Sequence, residues 1–210
     1  MPFKHDLERR LKREIRIEND ANCFALSEAI NGAAAGAQLV FGVILGTGVG
    51  GGIVFNQQVI RGRHHIAGEW GHNQFIADGP VCYCGKRGCV ETLLSGPGLM
   101  NNYHTGLKDS YQNPEQLFSR AEDGDKTAET VVERYLSNLA KALAQVINIV
   151  DPDVVVLGGG ISNASCIYKK IPTMMTPWVF SDFFETPIVQ NRHGDSSGIL
   201  GAANLWASGE

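Results

Sequence analysis

The sequence is short of several features that would assign it to a class at once. No apolar run approaches the ~18 residues of a membrane-spanning helix, and the stretch from Leu39 to Leu45 has only the length of a strand. The opening Met1-Pro2-Phe3-Lys4-His5-Asp6 is polar and has no signal-peptide core. Acidic residues outnumber basic ones only slightly, and a net charge of −4 gives no electrostatic case for nucleic acid or an anionic membrane surface as partner. There is no internal repeat, low-complexity tract or linker. Cysteine is limited to five residues, three of them in one loop, a usage that fits a reducing compartment. These absences describe a soluble, cytoplasmic protein. What is present is enough for a core: 210 residues, 43% hydrophobic, suit one domain, or one domain with part of another.

The densest chemistry lies between Gly68 and Glu91. Cys82, Cys84 and Cys89 fall within eight residues, and His72 stands ten positions before the first of them. Three thiolates and an imidazole are the ligand set of a closed tetrahedral zinc site. Gly85 and Gly88 allow the tight turns that would bring Cys84 and Cys89 to one ion. The alternative is three buried thiols beside a solvated histidine, although packing alone rarely requires such a loop. Glu69 and Glu91 bracket the cluster and are not needed as ligands, so they are candidates for binding a polyol.

Hydrophobic periodicity supplies the frame. A short helix is expected from Asp6 to Glu14, a strand at Ile15-Arg16-Ile17, and a helix from Cys23 to Ile30 closed by Asn31-Gly32. Asn19 or Asp20 could cap that helix or serve a site. Leu39–Leu45 reads as a buried strand running into Gly46-Thr47-Gly48-Val49-Gly50-Gly51-Gly52, then Ile53–Phe55, a turn at Asn56-Gln57 and a strand at Val59-Ile60. The glycine string matches G-x-G-x-x-G literally, but that motif must open a helix and no Walker lysine follows. It is either a hairpin turn or a cradle of N–H groups for phosphate. Short helices, punctuated by Gly96-Pro97-Gly98, are expected between Glu91 and Ser110, and another starts at Asn113-Pro114. The longest helix should run from Asp125 to Val150, stopped by Asp151-Pro152. A buried strand, Val154–Leu157, opens into Gly158-Gly159-Gly160, either a structural turn or the wall of a nucleotide crevice, ahead of a helix from Cys166 to Met175. One further strand at Pro187–Val189 and a last helix from Ile199 to Ala207 complete the frame.

Glu18-Asn19-Asp20-Ala21, the Leu45–Gly52 loop, Gly68-Glu69-x-Gly71-His72, Cys-x-Cys-Gly-x-x-Gly-Cys-x-Glu and Val155–Gly160 occur in that order. Together they resemble the ROK family of sugar kinases and related repressors over essentially the whole chain. Within it, Asp20-Ala21-Asn22-Cys23, Pro80–Lys86 and His193–Gly198 look like the bacterial fructokinases that also accept mannose. N-acetylglucosamine kinases are the next nearest branch.

The resemblance implies an α/β, actin-like (ribonuclease H-like) fold with an inserted zinc loop, and ATP-dependent phosphorylation of a hexose 6-hydroxyl with Asp20 as general base. Asn19, Glu69, His72 and Glu91 would bind the other hydroxyls, His72 with one ring nitrogen on Zn²⁺ and the other on the sugar. Gly46, Thr47 and Gly48 would face the ATP phosphates, and Gly158, Gly159 and Gly160 the adenosine. Family kinases begin with an Asp-x-Gly-Gly-Thr turn that meets phosphate and Mg²⁺. Nothing here resembles that turn, nor does a helix-turn-helix precede the match. Residues 1–210 are therefore expected to be the second, C-terminal domain, without kinase activity by itself. A homodimer is expected, covering apolar surface around Phe3, Leu7, Leu11, Leu200, Leu205 and Trp206. The competing readings are a non-catalytic sugar-binding or dimerisation module and a fragment of a sugar-sensing regulator.

Overall fold

The computed structural model describes residues 3–103 and 110–206. A five-stranded sheet forms its centre, in the order β3-β2-β1-β4-β5: β1 is Leu39–Leu45, β2 Val49–Phe55, β3 Gln58–Val59, β4 Val154–Gly158 and β5 Ile188–Gln190. β1 pairs antiparallel with β2 and parallel with β4, and β4 runs parallel to β5. The β2–β3 hairpin turns through Asn56 and Gln57, both at positive φ, the backbone a two-residue primed turn demands. Side chains alternate between two covered faces, as the period of two dictates. Phe41, Val43, Leu45, Val155 and Leu157 face one core, while Val40, Val54, Val154 and Val156 face the other.

The first core is covered by α6 (Lys126–Val150), with α3 (Val90–Leu94), α4 (Gly96–Asn102), α5 (Pro114–Glu122) and α7 (Ser165–Met175) around it. At 25 residues α6 is the longest element, and its Asp125 cap accepts from the N–H groups of Thr127 and Ala128. It ends at Asp151, which takes the left-handed conformation at φ 48°. Residues 104–109, within the stretch where short helices were expected, lie outside the described residues.

The second face belongs to α2 (Asp20–Asn31) and α8 (Ser197–Asn204). α2 is buried continuously from Ala21 to Ala29: most of these residues are small or apolar, and the one charged side chain, Glu28, is satisfied by hydrogen bonds. It lies very close to the sheet because the strand positions beneath it are glycines. A Cβ on Gly42 would come within 2.6 Å of the Ala25 Cβ, one on Gly52 within 2.6 Å of the Ala21 carbonyl, and one on Gly158 within 2.4 Å of the Phe24 ring. On its other side, a Cβ on Gly201 of α8 would strike the Cys23 backbone.

Several expectations are corrected. Ile15–Ile17 has no regular secondary structure and joins no sheet, and α1 (Phe3–Leu11) starts and stops earlier than Asp6–Glu14. The glycine string is not one long turn: Gly50, Gly51 and Gly52 belong to β2, leaving only residues 46–48 between the strands. The last helix stops at Asn204, and Ala207 lies outside the described residues. Of the expected apolar surface, Phe3, Leu11, Leu200 and Trp206 are exposed, but Leu205 is buried in the α2 core and Leu7 is half-buried. Among the described residues, no helix is long and apolar enough to cross a membrane.

Candidate functional site

The N-terminus of α2 carries the first group of candidates. Asn19 is its N-cap, accepting from Ala21 N at 2.8 Å and Asn22 N at 3.4 Å. Capping and a site role are not exclusive here, because the Asn19 amide also donates to Glu69 Oε1 at 3.4 Å, fifty positions away. Asp20 opens the helix, exposed, at the positive end of its dipole. Glu18 braces the corner from behind, accepting from Asn19 N, Asn22 Nδ2 and Arg61 Nε. Burial raises its pKa, but these donors outweigh burial and hold the carboxyl below its usual range.

The second group comes from Gly68–His72. This segment lies flat on β2: Gly68, at φ 90°, and Gly71 approach the Gly51 and Val49 carbonyls so closely that neither could carry a Cβ. Trp70 is buried, with Nε1 donating to the Gly50 carbonyl at 3.3 Å. Glu69 and His72 are thereby fixed on either side of an anchored tryptophan.

His72, Cys82, Cys84 and Cys89 converge, their ligand atoms all within 4.8 Å of one another. A tetrahedral zinc with ordinary bond lengths requires S···S edges of about 3.8 Å and S···N edges of about 3.6 Å. Cys84 and Cys89 Sγ are 3.6 Å apart, and Cys82 Sγ lies 3.6 Å from His72 Nδ1, so the group fits. Gly85 at φ 89° and Gly88 at φ 64° make the turns expected of them. A backbone hydrogen bond from Lys86 leads the lowering of the Cys84 pKa, whereas burial and the neighbouring thiols push Cys89 up to about 12. A thiolate at Cys89 thus needs a cation beside it.

Cys89 caps α3, which brings Glu91 back to the β1–β2 turn, where Oε2 accepts from Val49 N at 3.0 Å. Gly48 faces this carboxylate: a Cβ there would lie 2.7 Å from Oε2. Gly46 and Thr47, by contrast, line a cleft of about 660 Å³ together with Pro97, Gln112, Glu115 and Gly160. The Gly46 carbonyl accepts from Gly96 N at 2.8 Å, tying the turn to α4. Of the second glycine run, only Gly160 reaches the cleft. Gly158 packs on Phe24, and Gly159, at φ 82°, packs on the Leu45 backbone.

Sequence reasoning did not anticipate Tyr83, whose hydroxyl lies 2.9 Å from His72 Nε2, or Pro97, Gln112 and Glu115 in the cleft. Its position between two of the candidate cysteine ligands was the available signal for Tyr83. Glu91 heads the causes that raise the Tyr83 pKa, and Glu69 also contributes, so both carboxylates act on one phenol.

The ROK family model matches residues 1–208. The chain belongs to the ROK family. It is 42% identical over 214 residues to the N-acetyl-D-glucosamine kinase of Salmonella paratyphi B, a match covering 97% of this chain and 70% of the relative. The ROK hexokinase of Thermus thermophilus superimposes with a TM-score of 0.85 at 32% identity, over 96% of this chain and 68% of that one. A ROK family glucokinase from Streptomyces griseus, in complex with glucose and AMPPNP, gives 0.83 at 28% identity, over 99% and 73%. The mixed α/β, actin-like fold of ROK sugar kinases is therefore the fold of this chain. The fructokinase branch is not the one these comparisons favour; they point to the N-acetylglucosamine alternative.

Proposed function

We propose that this chain is the sugar-binding, base-bearing domain of an ATP-dependent kinase that phosphorylates N-acetylglucosamine on its 6-hydroxyl. The observation that carries the reading is the bond between Asn19 at the helix corner and Glu69 beside the metal-type cluster. It joins two segments remote in sequence into one polar wall. The 42% identity to N-acetylglucosamine kinases supports that sugar over fructose.

In this reading Asn19, Glu69, His72 and Glu91 hold the sugar hydroxyls, and Asp20 accepts the proton of the 6-hydroxyl. The freed oxygen forms a bond to the γ-phosphorus of ATP, the bond to the β-γ bridging oxygen breaks, and ADP leaves. Gly46 and Thr47 meet the phosphates, with the nucleoside along the cleft toward Gly160. Zinc on His72, Cys82, Cys84 and Cys89 would fix the histidine tautomer and ring orientation. Magnesium would neutralise the transferred phosphoryl charge.

Residues 1–210 are, in the same reading, the second domain of the kinase, and the phosphate and magnesium turn comes from another domain. Positioning from both sides supplies most of the rate in such reactions, so this chain alone should bind sugar without phosphorylating it. The exposed Phe3, Leu11 and Trp206 suit a homodimer, which sedimentation would test.

Calorimetric titration of the chain with N-acetylglucosamine and fructose tests the sugar. Tighter binding of N-acetylglucosamine is expected, and a preference for fructose contradicts the assignment. Asp20→Asn should retain sugar binding while abolishing transfer in the whole kinase. Transfer that survives this change removes Asp20 as the base.

A further inference from the structure

Tyr83 belongs to no part of the reading so far. It is 84% exposed, the tip of a turn closed by Gly85 N donating to the Cys82 carbonyl at 3.0 Å and Cys82 N donating to the Lys86 carbonyl at 2.8 Å. Its ring stands edge-on to the His72 imidazole, with centroids 5.1 Å apart and planes at 88°, and its hydroxyl lies 2.9 Å from Nε2. The other ring nitrogen, Nδ1, faces Cys82 Sγ at 3.6 Å. With Nδ1 turned to the thiols as a lone-pair donor, the ring proton sits on Nε2 and is donated to the tyrosine oxygen. Nε2 is the nitrogen on which the sugar reading depends.

We propose that Tyr83 is a displaceable cover on the sugar-facing nitrogen of His72, occupying that nitrogen when no sugar is present and lowering hexose affinity by competing for the same proton. The inference rests on the sugar site proposed above. The geometry suits a cover better than a wall. A side chain this exposed, held through one hydroxyl, exchanges its partner for water at little cost, whereas a permanent sugar ligand is usually pinned by packing. A sugar hydroxyl arriving at Nε2 offers the same acceptor chemistry and takes the tyrosine's place. Because Cys82 and Cys84 flank Tyr83, the metal loop sets both the histidine and its cover.

The test compares the zinc-loaded chain with its Tyr83→Phe variant, which keeps the ring and removes the hydroxyl. In the sugar-free protein, long-range ¹⁵N NMR of the histidine ring should show the Nε2 signal moving while Nδ1 stays, with zinc content unchanged. An unmoved Nε2 signal means that the Tyr83–His72 bond is absent in solution and overturns the proposal. In calorimetry, the Kd for N-acetylglucosamine should fall about two- to tenfold, the worth of one exposed hydrogen bond. The Kd for fructose should fall by the same factor, because the competition precedes any discrimination between sugars. An unchanged or weaker affinity in the variant overturns the proposal alone. Wild-type protein that binds neither sugar overturns the sugar-site reading, and the cover with it.

Discussion

Two regions meet at the site, and they are held in different ways. α2, bearing Asn19 and Asp20, is held by packing: Gly42, Gly50, Gly52 and Gly158 form a floor without side chains, and Gly201 lets α8 close from above. The loop that presents His72 and leads into Glu91 has little regular structure, with isolated bridges at Gln74–Cys89 and Val81–Arg87 and a four-residue metal-type cluster as its centre. The Asp20 side therefore shares the stability of the sheet it packs on, whereas the His72 side can be lost locally. Three tests, the largest effect first and the next two of similar size, probe that contrast, and a fourth concerns pH.

The largest effect is expected from Cys84→Ala. Structural zinc sites contribute on the order of 10 kcal/mol to the folding of the segments they organise, so hydrogen exchange should show the loop from Gly79 to Val90 losing its protection. The sheet and α2 should keep theirs. A loop that stays protected, or a sheet that unfolds with it, breaks the distinction between the two regions.

Next comes Gly52→Ala. The new methyl group would meet the Ala21 carbonyl, and overpacking of this kind costs about 1–3 kcal/mol of global stability in urea unfolding. Gly160→Ala is the control, since no atom lies within 4 Å of its added methyl, and it should stay within about 0.5 kcal/mol of wild type. Equal effects at the two positions would show that the glycine floor is not what seats α2.

Glu69→Gln and Glu91→Gln should each weaken N-acetylglucosamine binding by about 1–3 kcal/mol with little change in unfolding midpoint. Full affinity in either variant removes that carboxylate from the sugar wall.

The smallest effect is a pH dependence at the far end of α2. Buried Glu28 accepts from Ala33 N, Arg192 N, His193 N and Ser197 Oγ, anchoring the turn before α8. Burial raises its pKa, but these donors lower it further, to below the reference value of 4.5. Because the folded pKa lies below the unfolded one, its contribution is complete above pH 4.5 and is lost as pH falls through the folded value. Acid unfolding should be shallower in Glu28→Gln than in wild type. Identical acid limbs would assign the loss of stability to other carboxylates.

How much of this was legible in the sequence follows the distance over which each feature is built. The metal-type cluster spans only residues 72–89, so ligand type and spacing were sufficient to find it. β1 and α6 were legible because a run of apolar residues and a long helical period each carry their own signal. The glycines of β2 misled, because a glycine needed for the close approach of a helix looks the same in sequence as one needed for a turn. Only the position of Ala21 and Asn22 above Gly52 tells them apart, and that contact joins segments thirty positions distant. Ile15–Ile17 alternates like a strand but finds no sheet edge, since β3 and β5 end the sheet elsewhere. Asn19 could be read as a cap or as a site residue, and its two bonds serve both roles.

The central claim, that a metal-held loop sets most of the proposed sugar-binding wall while helix packing and its local caps set the proposed base, is tested most directly by titrating N-acetylglucosamine into the zinc-loaded chain and into the same chain stripped of metal. The account predicts that stripping weakens binding at least about a hundredfold, the upper range for disturbing several hydrogen-bonding groups at once, while the sheet remains folded by circular dichroism. Equal affinity with and without metal would contradict it.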